Sequence, residues 1–244
     1  MAKIISYKNP ELSTIKDNKA LWNLPKTRRF GYRNLHKINR YGLFLRSDLI
    51  LKLKKNYKKE IEVKPLVKRL TKNKSFCSLI VGNGQNIFFE KYAKDFSYSR
   101  PQTIMSITKM FANLFVGELL KNKKINLNKK VSHYLPKIGS GYANAKIQDV
   151  INMNIVNAYT EDYTKAYSSS FMHEPVGGWR LPKSGQIKLS QEQYLNTIKN
   201  IKNRDLKNNS EFALYKSANT DVIGLLVEKI SGAPLRDWIL TMVE

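Results

Sequence analysis

The sequence has a single cysteine, Cys77, only three histidines, and no apolar run of membrane-spanning length. One cysteine makes no intrachain disulfide and no Cys-based metal site, and it suits a reducing compartment. His36, His133 and His173 carry no flanking motif of a Ser-His-Asp triad and no metal-ligand spacing such as H-E-x-x-H. Histidine-driven serine chemistry and a histidine-built metal centre are therefore not expected. The opening residues, MAKIISYKNPELSTIKDNKA, hold no apolar segment of the kind a secretory signal needs, so the expected location is the cytoplasm. Acidic residues are scarce too: 19 stand against 43 basic ones, for a net charge of +24. Such a field could draw nucleic acid or an anionic membrane. Yet only 10 of the basic residues are arginine, the side chain that reads bases in bidentate fashion, and no basic run is interleaved with aromatics. The lysines are spread along the chain, densest in LKLKKNYKKEIEVK (51–64), and read as a solvated face rather than a nucleic-acid surface.

What is present suffices for a sizeable core: 244 residues, 42% of them hydrophobic. Residues 1–45 are polar with isolated apolar anchors (Leu21, Trp22, Phe30, Tyr32, Leu35) and read as an N-terminal arm over a domain running from 46 to 244. RSDLILKLKKNYK predicts a helix capped by Ser47 or Asp48. FCSLIV (76–81) and NIFFEKY (86–92) flank the turn GNGQ and predict a hairpin. Ile107, Met110, Phe111, Leu114, Phe115 and Leu119 recur at helical spacing from 106 or 107 to about 121. NAKIQDVINMNI predicts a short amphipathic helix, and SQEQYLNTIKNI opens with a Ser-x-x-Gln cap. Residues 157–187 form a long irregular stretch rich in Tyr, Ser and Gly, of the kind that is functional or disordered. NTDVIGLLVEKISG predicts a buried helix from about 220 to 231, stopped by Gly232.

The stretch TIMSITKMFANLF sets Ser106 and Lys109 three residues apart on one helical face, where they can touch. The partial positive charge of a helix N-terminus and an apolar wall both disfavour a protonated lysine. A lysine held neutral there could take the serine proton and make a nucleophile. The same four residues also describe a serine cap followed by a lysine reaching to solvent. On their own they fit both readings.

GSGYANAKIQDVINMNIVNAYTEDYTKAY (139–167), then GGWRLP, then YKSANTDVIGLLVEKISG follow in order. With the Ser-x-x-Lys, this series resembles the serine β-lactamase-related hydrolases, most of all their 6-aminohexanoate-dimer (nylon oligomer) hydrolase branch, from roughly residue 70 onward. The resemblance implies an α/β (α+β) β-lactamase/transpeptidase-like fold, an antiparallel sheet flanked by helices plus a helical part. It implies that Ser106 is acylated, that Lys109 is its base partner, and that Tyr215 of the Tyr-x-Ser motif carries a second proton, with Ser217 in the same network. It places Tyr163 over the bound amide and Glu174 near the substrate's amino group, although an exposed loop acid describes Glu174 as well. Trp179 either packs its loop or walls the pocket. The implied activity is hydrolysis of a small-molecule amide or ester, with no cofactor and no metal. The alternatives are a β-lactamase or D-alanyl-D-alanine peptidase activity, and an inactive fragment or pseudoenzyme.

The family's third element is a strand after the tyrosine motif that carries Lys-Thr-Gly or a counterpart and supplies part of the oxyanion hole. Lys183-Ser184-Gly185 has matching letters but precedes Tyr215, on a loop. The chain reaches Glu244 without such a strand. The sheet is accordingly expected to be incomplete and the domain C-terminally truncated, with weak activity and a tendency to aggregate through the open edge. The oligomeric state is not readable from the sequence.

Overall fold

The computed structural model describes residues 3–8, 24–35, 41–49, 51–163, 165, 167–179, 185, 187, 189–202 and 204–243. Leu21, Trp22, His36, Lys183 and Ser184 lie outside the described residues. The chain forms two compact units, residues 1–103 and 104–243.

In the first unit, β1 (Lys3–Lys8) pairs antiparallel with β2 (Tyr41–Arg46), Lys3 opposite Arg46. Helix α1 (Arg28–Arg33) leaves Phe30 exposed, while Tyr32 and Leu35 are half-buried. Its two arginines close on Asp95, Arg29 Nη2 at 2.5 Å and Arg33 Nη1 at 2.6 Å. The hairpin forms as its turn chemistry predicts. Strand β4 (Ser78–Asn83) runs antiparallel to β5 (Asn86–Tyr92), with a bulge at Val81/Gly82 and Gly84 at φ 46° in the turn. Ile87 and Phe89 alternate inward, as a half-buried strand requires.

The helix expected over 46–58 is absent. Leu49, Leu51 and Leu53 repeat every second residue, and this alternation suits an extended chain better than a helix. The segment instead lies along the hairpin. Lys54 N–H donates to Gln85 O (2.7 Å) and Asn56 N–H to Ile87 O (2.8 Å), making β3 (Lys54–Lys55) a short parallel edge on β5. The sheet is thus β3-β5-β4, the expected antiparallel pair with one parallel strand added. Ser47 caps no helix; its hydroxyl accepts from Leu49 N–H at 3.1 Å, a local bond that competes with helix. Two short helices follow, α2 (Lys59–Glu62) and α3 (Pro65–Thr71).

The second unit is helical. A 3-10 helix spans Met105–Lys109 and leads into α4 (Met110–Lys121). Then come α5 (Val131–Tyr134), α6 (Ser140–Ala143), α7 (Ile147–Ile151), α8 (Ser169–His173), α9 (Gln191–Thr197), α10 (Ser217–Ser231) and α11 (Leu235–Val243). Helix α10 is the spine. Its Val222, Ile223, Leu226 and Val227 are buried among Phe115, Val116 and Leu119 of α4, Ile147 and Val150 of α7, and Leu195 of α9. Each such side chain contributes about 1.5–3 kcal/mol of transfer free energy. The one polar group in that row, Asn219, is satisfied: it accepts from Tyr142 OH (2.8 Å) and donates to Val150 O (3.4 Å). Gly232 ends α10 in the left-handed region, and Ser190 with Gln193 forms the capping box of α9. The stretch read as irregular, 157–187, contains α8, whose cap Ser168 accepts from Phe171 N–H. Among the described residues no helix is long and apolar enough to cross a membrane.

Candidate active site

Ser106 and Lys109 lie on the tight helical turn ahead of α4, not on the α-helix itself. In that geometry residues three apart eclipse, and Lys109 Nζ donates to Ser106 Oγ at 3.1 Å. The preceding residue, Met105, is held at φ 45°, a region that a side chain of its kind rarely occupies. The first bond of the turn runs from Ile107 N–H to Ile104 O (3.1 Å), so Ser106 N–H precedes it and is left for another acceptor. Ser106 is exposed and Lys109 half-buried.

The third group arrives from far along the chain. Tyr215 OH donates to Ser106 Oγ at 2.8 Å, and Lys109 Nζ stands 5.4 Å from the centre of the tyrosine ring. Burial alone would raise the Tyr215 phenol, but hydrogen bonding to Lys109, Ser106 and Ser217 and the lysine charge together bring it below its ordinary value. Tyr163 behaves the opposite way. Burial, and then its hydrogen bond to Glu161, push its phenol well up. Two phenols in one site with opposing shifts separate an acidic partner from one that stays neutral.

Ser217 is the first residue of α10, and its Oγ donates to Glu161 Oε1 at 2.7 Å. The other carboxylate oxygen accepts from Ser217 N–H at 2.9 Å, a charge-assisted bond at a helix start. Tyr163 OH donates to Glu161 as well and lies 3.4 Å from Ser217 Oγ. Glu161 was not singled out in the sequence. It stands two residues before Tyr163 in TEDY, and nothing local reveals that its partner lies 56 residues on.

The remaining expectations fall elsewhere. Trp179 N–H donates to Glu174 O at 2.9 Å, and its ring lies so close to Gly177 that a Cβ there would meet Trp179 Cδ1 at 3.0 Å. Trp179 thus makes contacts within its own loop. Neither it nor Glu174 lines the cleft beside Ser106, and Tyr163, Tyr215 and Ser217 stand outside that lining too. That cleft, of about 340 Å³, is bounded by Ser106, Lys109, Met110, Asn113, Met153 and Thr220, among others. His173 is buried, set between Tyr159 OH (3.2 Å) and Asp221 Oδ2 (3.0 Å) and stacked on Tyr194, well suited to holding α8 to α10. Among the described residues no group of His, Cys, Asp and Glu side chains could hold a metal ion.

Comparison with known proteins gives three findings. A model of the Beta-lactamase family matches residues 79–241. The 6-aminohexanoate-dimer hydrolase of Paenarthrobacter ureafaciens is 30% identical over 156 residues, which are 64% of this chain and 38% of that protein. A solved Bacillus anthracis structure, provisionally named a 6-aminohexanoate-dimer hydrolase, matches with a TM-score of 0.72 at 14% identity, over 90% of this chain and 59% of that one. The fold is the β-lactamase/transpeptidase-like one, and the chain spans less than two thirds of the length of either relative.

Proposed function

Because this chain belongs to the Beta-lactamase family, we propose that it is a serine hydrolase that cleaves a small-molecule amide or ester through an acyl-enzyme on Ser106. The observation that carries the reading is the meeting of Lys109 Nζ (3.1 Å) and Tyr215 OH (2.8 Å) on the Ser106 oxygen. A nucleophile with proton carriers within hydrogen-bond reach is the arrangement by which acyl transfer activates a serine. The name of the Paenarthrobacter relative, a hydrolase of the 6-aminohexanoate dimer, supports a linear amide as the substrate class.

In this mechanism the Ser106 oxygen attacks the carbonyl carbon while its proton passes to the Lys109–Tyr215 pair. The carbonyl π electrons move to oxygen, and Ser106 N–H donates a hydrogen bond to that oxygen as one oxyanion donor. Collapse of the tetrahedral intermediate breaks the carbonyl–nitrogen or carbonyl–oxygen bond, and Tyr215 returns the proton to the leaving amine or alcohol. Water then repeats the sequence on the acyl-enzyme and frees the acid. Glu161 keeps Tyr163 and Ser217 fixed at the leaving-group side.

The test is steady-state hydrolysis of a p-nitrophenyl ester and the matching anilide by the full chain, Ser106→Ala and Lys109→Ala. Both variants are expected to lose several orders of magnitude in kcat, since nucleophile and base act as one unit. Wild-type rates in Ser106→Ala would remove the reading.

A further inference from the structure

Lys216 sits between two residues of the site and shares neither of their partners. It alone among the described lysines is buried, with 8% of its surface exposed. Burying an ammonium is costly unless its donors are all answered. Here Nζ donates to Tyr159 O at 2.5 Å and to Asn157 O at 3.4 Å, and it lies 5.9 Å from the centre of the Tyr159 ring. Burial lowers the pKa of this ammonium, and the charge of Glu161 offsets part of that.

The backbone explains how one tripeptide serves two sides. Lys216 is extended (φ −144°, ψ 122°), so side chains before and after it point away from its own. Tyr215 turns to Ser106, Ser217 turns to Glu161, and Lys216 turns inward to the start of segment 157–163. That segment is therefore pinned twice by adjacent residues. Its carbonyls at 157 and 159 are held by Lys216, and its carboxylate at 161 by Ser217. The anchor below it is equally firm: Asn157 Nδ2 donates to Gly141 O (3.1 Å), and Tyr159 is buried.

We infer that Lys216 is a positioning residue of the hydrolytic site: its ammonium locks segment 157–163 to the Tyr215–Ser217 tripeptide at the start of α10 and so fixes the spacing between Tyr163 and Tyr215. The inference rests on the reading of Ser106 as nucleophile. Lys216 touches no reacting atom in it. Its loss leaves two interior carbonyls without their donor and lets the two phenols drift relative to each other, and small misplacements of this kind carry large rate penalties.

The experiment compares the full chain with Lys216→Met and Lys216→Arg, each titrated for active sites with a fluorophosphonate and assayed on the p-nitroanilide. Lys216→Met is expected to lower kcat per titrated site by about 100-fold with KM nearly unchanged, the signature of misplaced reacting groups. Lys216→Arg, which keeps the cation and its donors, should recover most of that loss. An ultraviolet phenolate titration, with Tyr215 identified by difference against Tyr215→Phe, reads the same geometry without substrate. In Lys216→Met the Tyr215 titration should move back up toward that of a free phenol. If Lys216→Met does not fold, Lys216→Gln, which loses the charge but keeps an N–H₂ donor group, takes its place with a smaller fall in kcat. Unchanged kcat per titrated site and an unmoved Tyr215 titration, even with a lower melting temperature, would reduce Lys216 to a packing residue and overturn the inference. Wild-type hydrolysis by Ser106→Ala in the same assay would instead bring down the functional reading, and this inference with it.

Discussion

Tyr215 is where chemistry and packing can be told apart. Its ring is partly exposed, and its hydroxyl meets Ser106, so Tyr215→Phe removes the proton carrier and little else. Turnover is expected to fall by about 10²–10⁴-fold, the usual worth of a positioned acid or base, with the melting temperature almost unchanged. The pH dependence has a definite sign. The phenol ionises below its ordinary value, so the fraction able to accept the serine proton grows as pH rises through that lowered value. Activity should climb over the same window, and Tyr215→Phe should lack that limb. Lys109→Met removes the hydrogen bond and charge that favour the phenolate, so the Tyr215 titration should shift upward in that variant. A limb that survives in Tyr215→Phe would assign it to another group. At this scale the sequence was readable where residues lie close in number. Ser106 and Lys109 are three apart, and Tyr215 was reachable only through the family's motif. Glu161 and Lys216 escaped because what defines them is a partner 56 or 57 residues away.

Among the elements, α10 joins the core to the site. Its N-terminal turn carries Ser217, its buried face fills the second unit, and Gly232 closes it at φ 73°. Any residue with a Cβ is strained in that region, so Gly232→Ala should lower stability by about 1–2 kcal/mol, read as a shift of the denaturant midpoint at constant slope. Nothing crowds that position, because a Cβ there would meet no atom within 4 Å; an unchanged midpoint would therefore show that the left-handed cap carries no strain. This helix, the α9 capping box and the β4–β5 hairpin were all legible, since periodicity, caps and turn residues agree locally. The segment 46–58 was not. Its alternating leucines and many lysines admit two readings, and tertiary pairing with β5 decided between them. The start of α4 also differed, tightening into the turn that brings Ser106 and Lys109 into register.

Over the whole molecule, every residue of the candidate site belongs to the unit spanning 104–243, within the stretch that the family model matches. The fold class could be recognised because the motifs of that unit fall in the family's order, whereas composition alone pointed at the +24 charge and at partners the residue types did not favour. The decisive claim is that this unit makes Ser106 a nucleophile. Its most direct test is to treat the full chain with a fluorophosphonate and locate the adduct by intact mass and peptide mapping. One adduct is expected, on Ser106, formed more slowly in Lys109→Met and in Tyr215→Phe. No adduct, or an adduct on another serine such as Ser217, would contradict it.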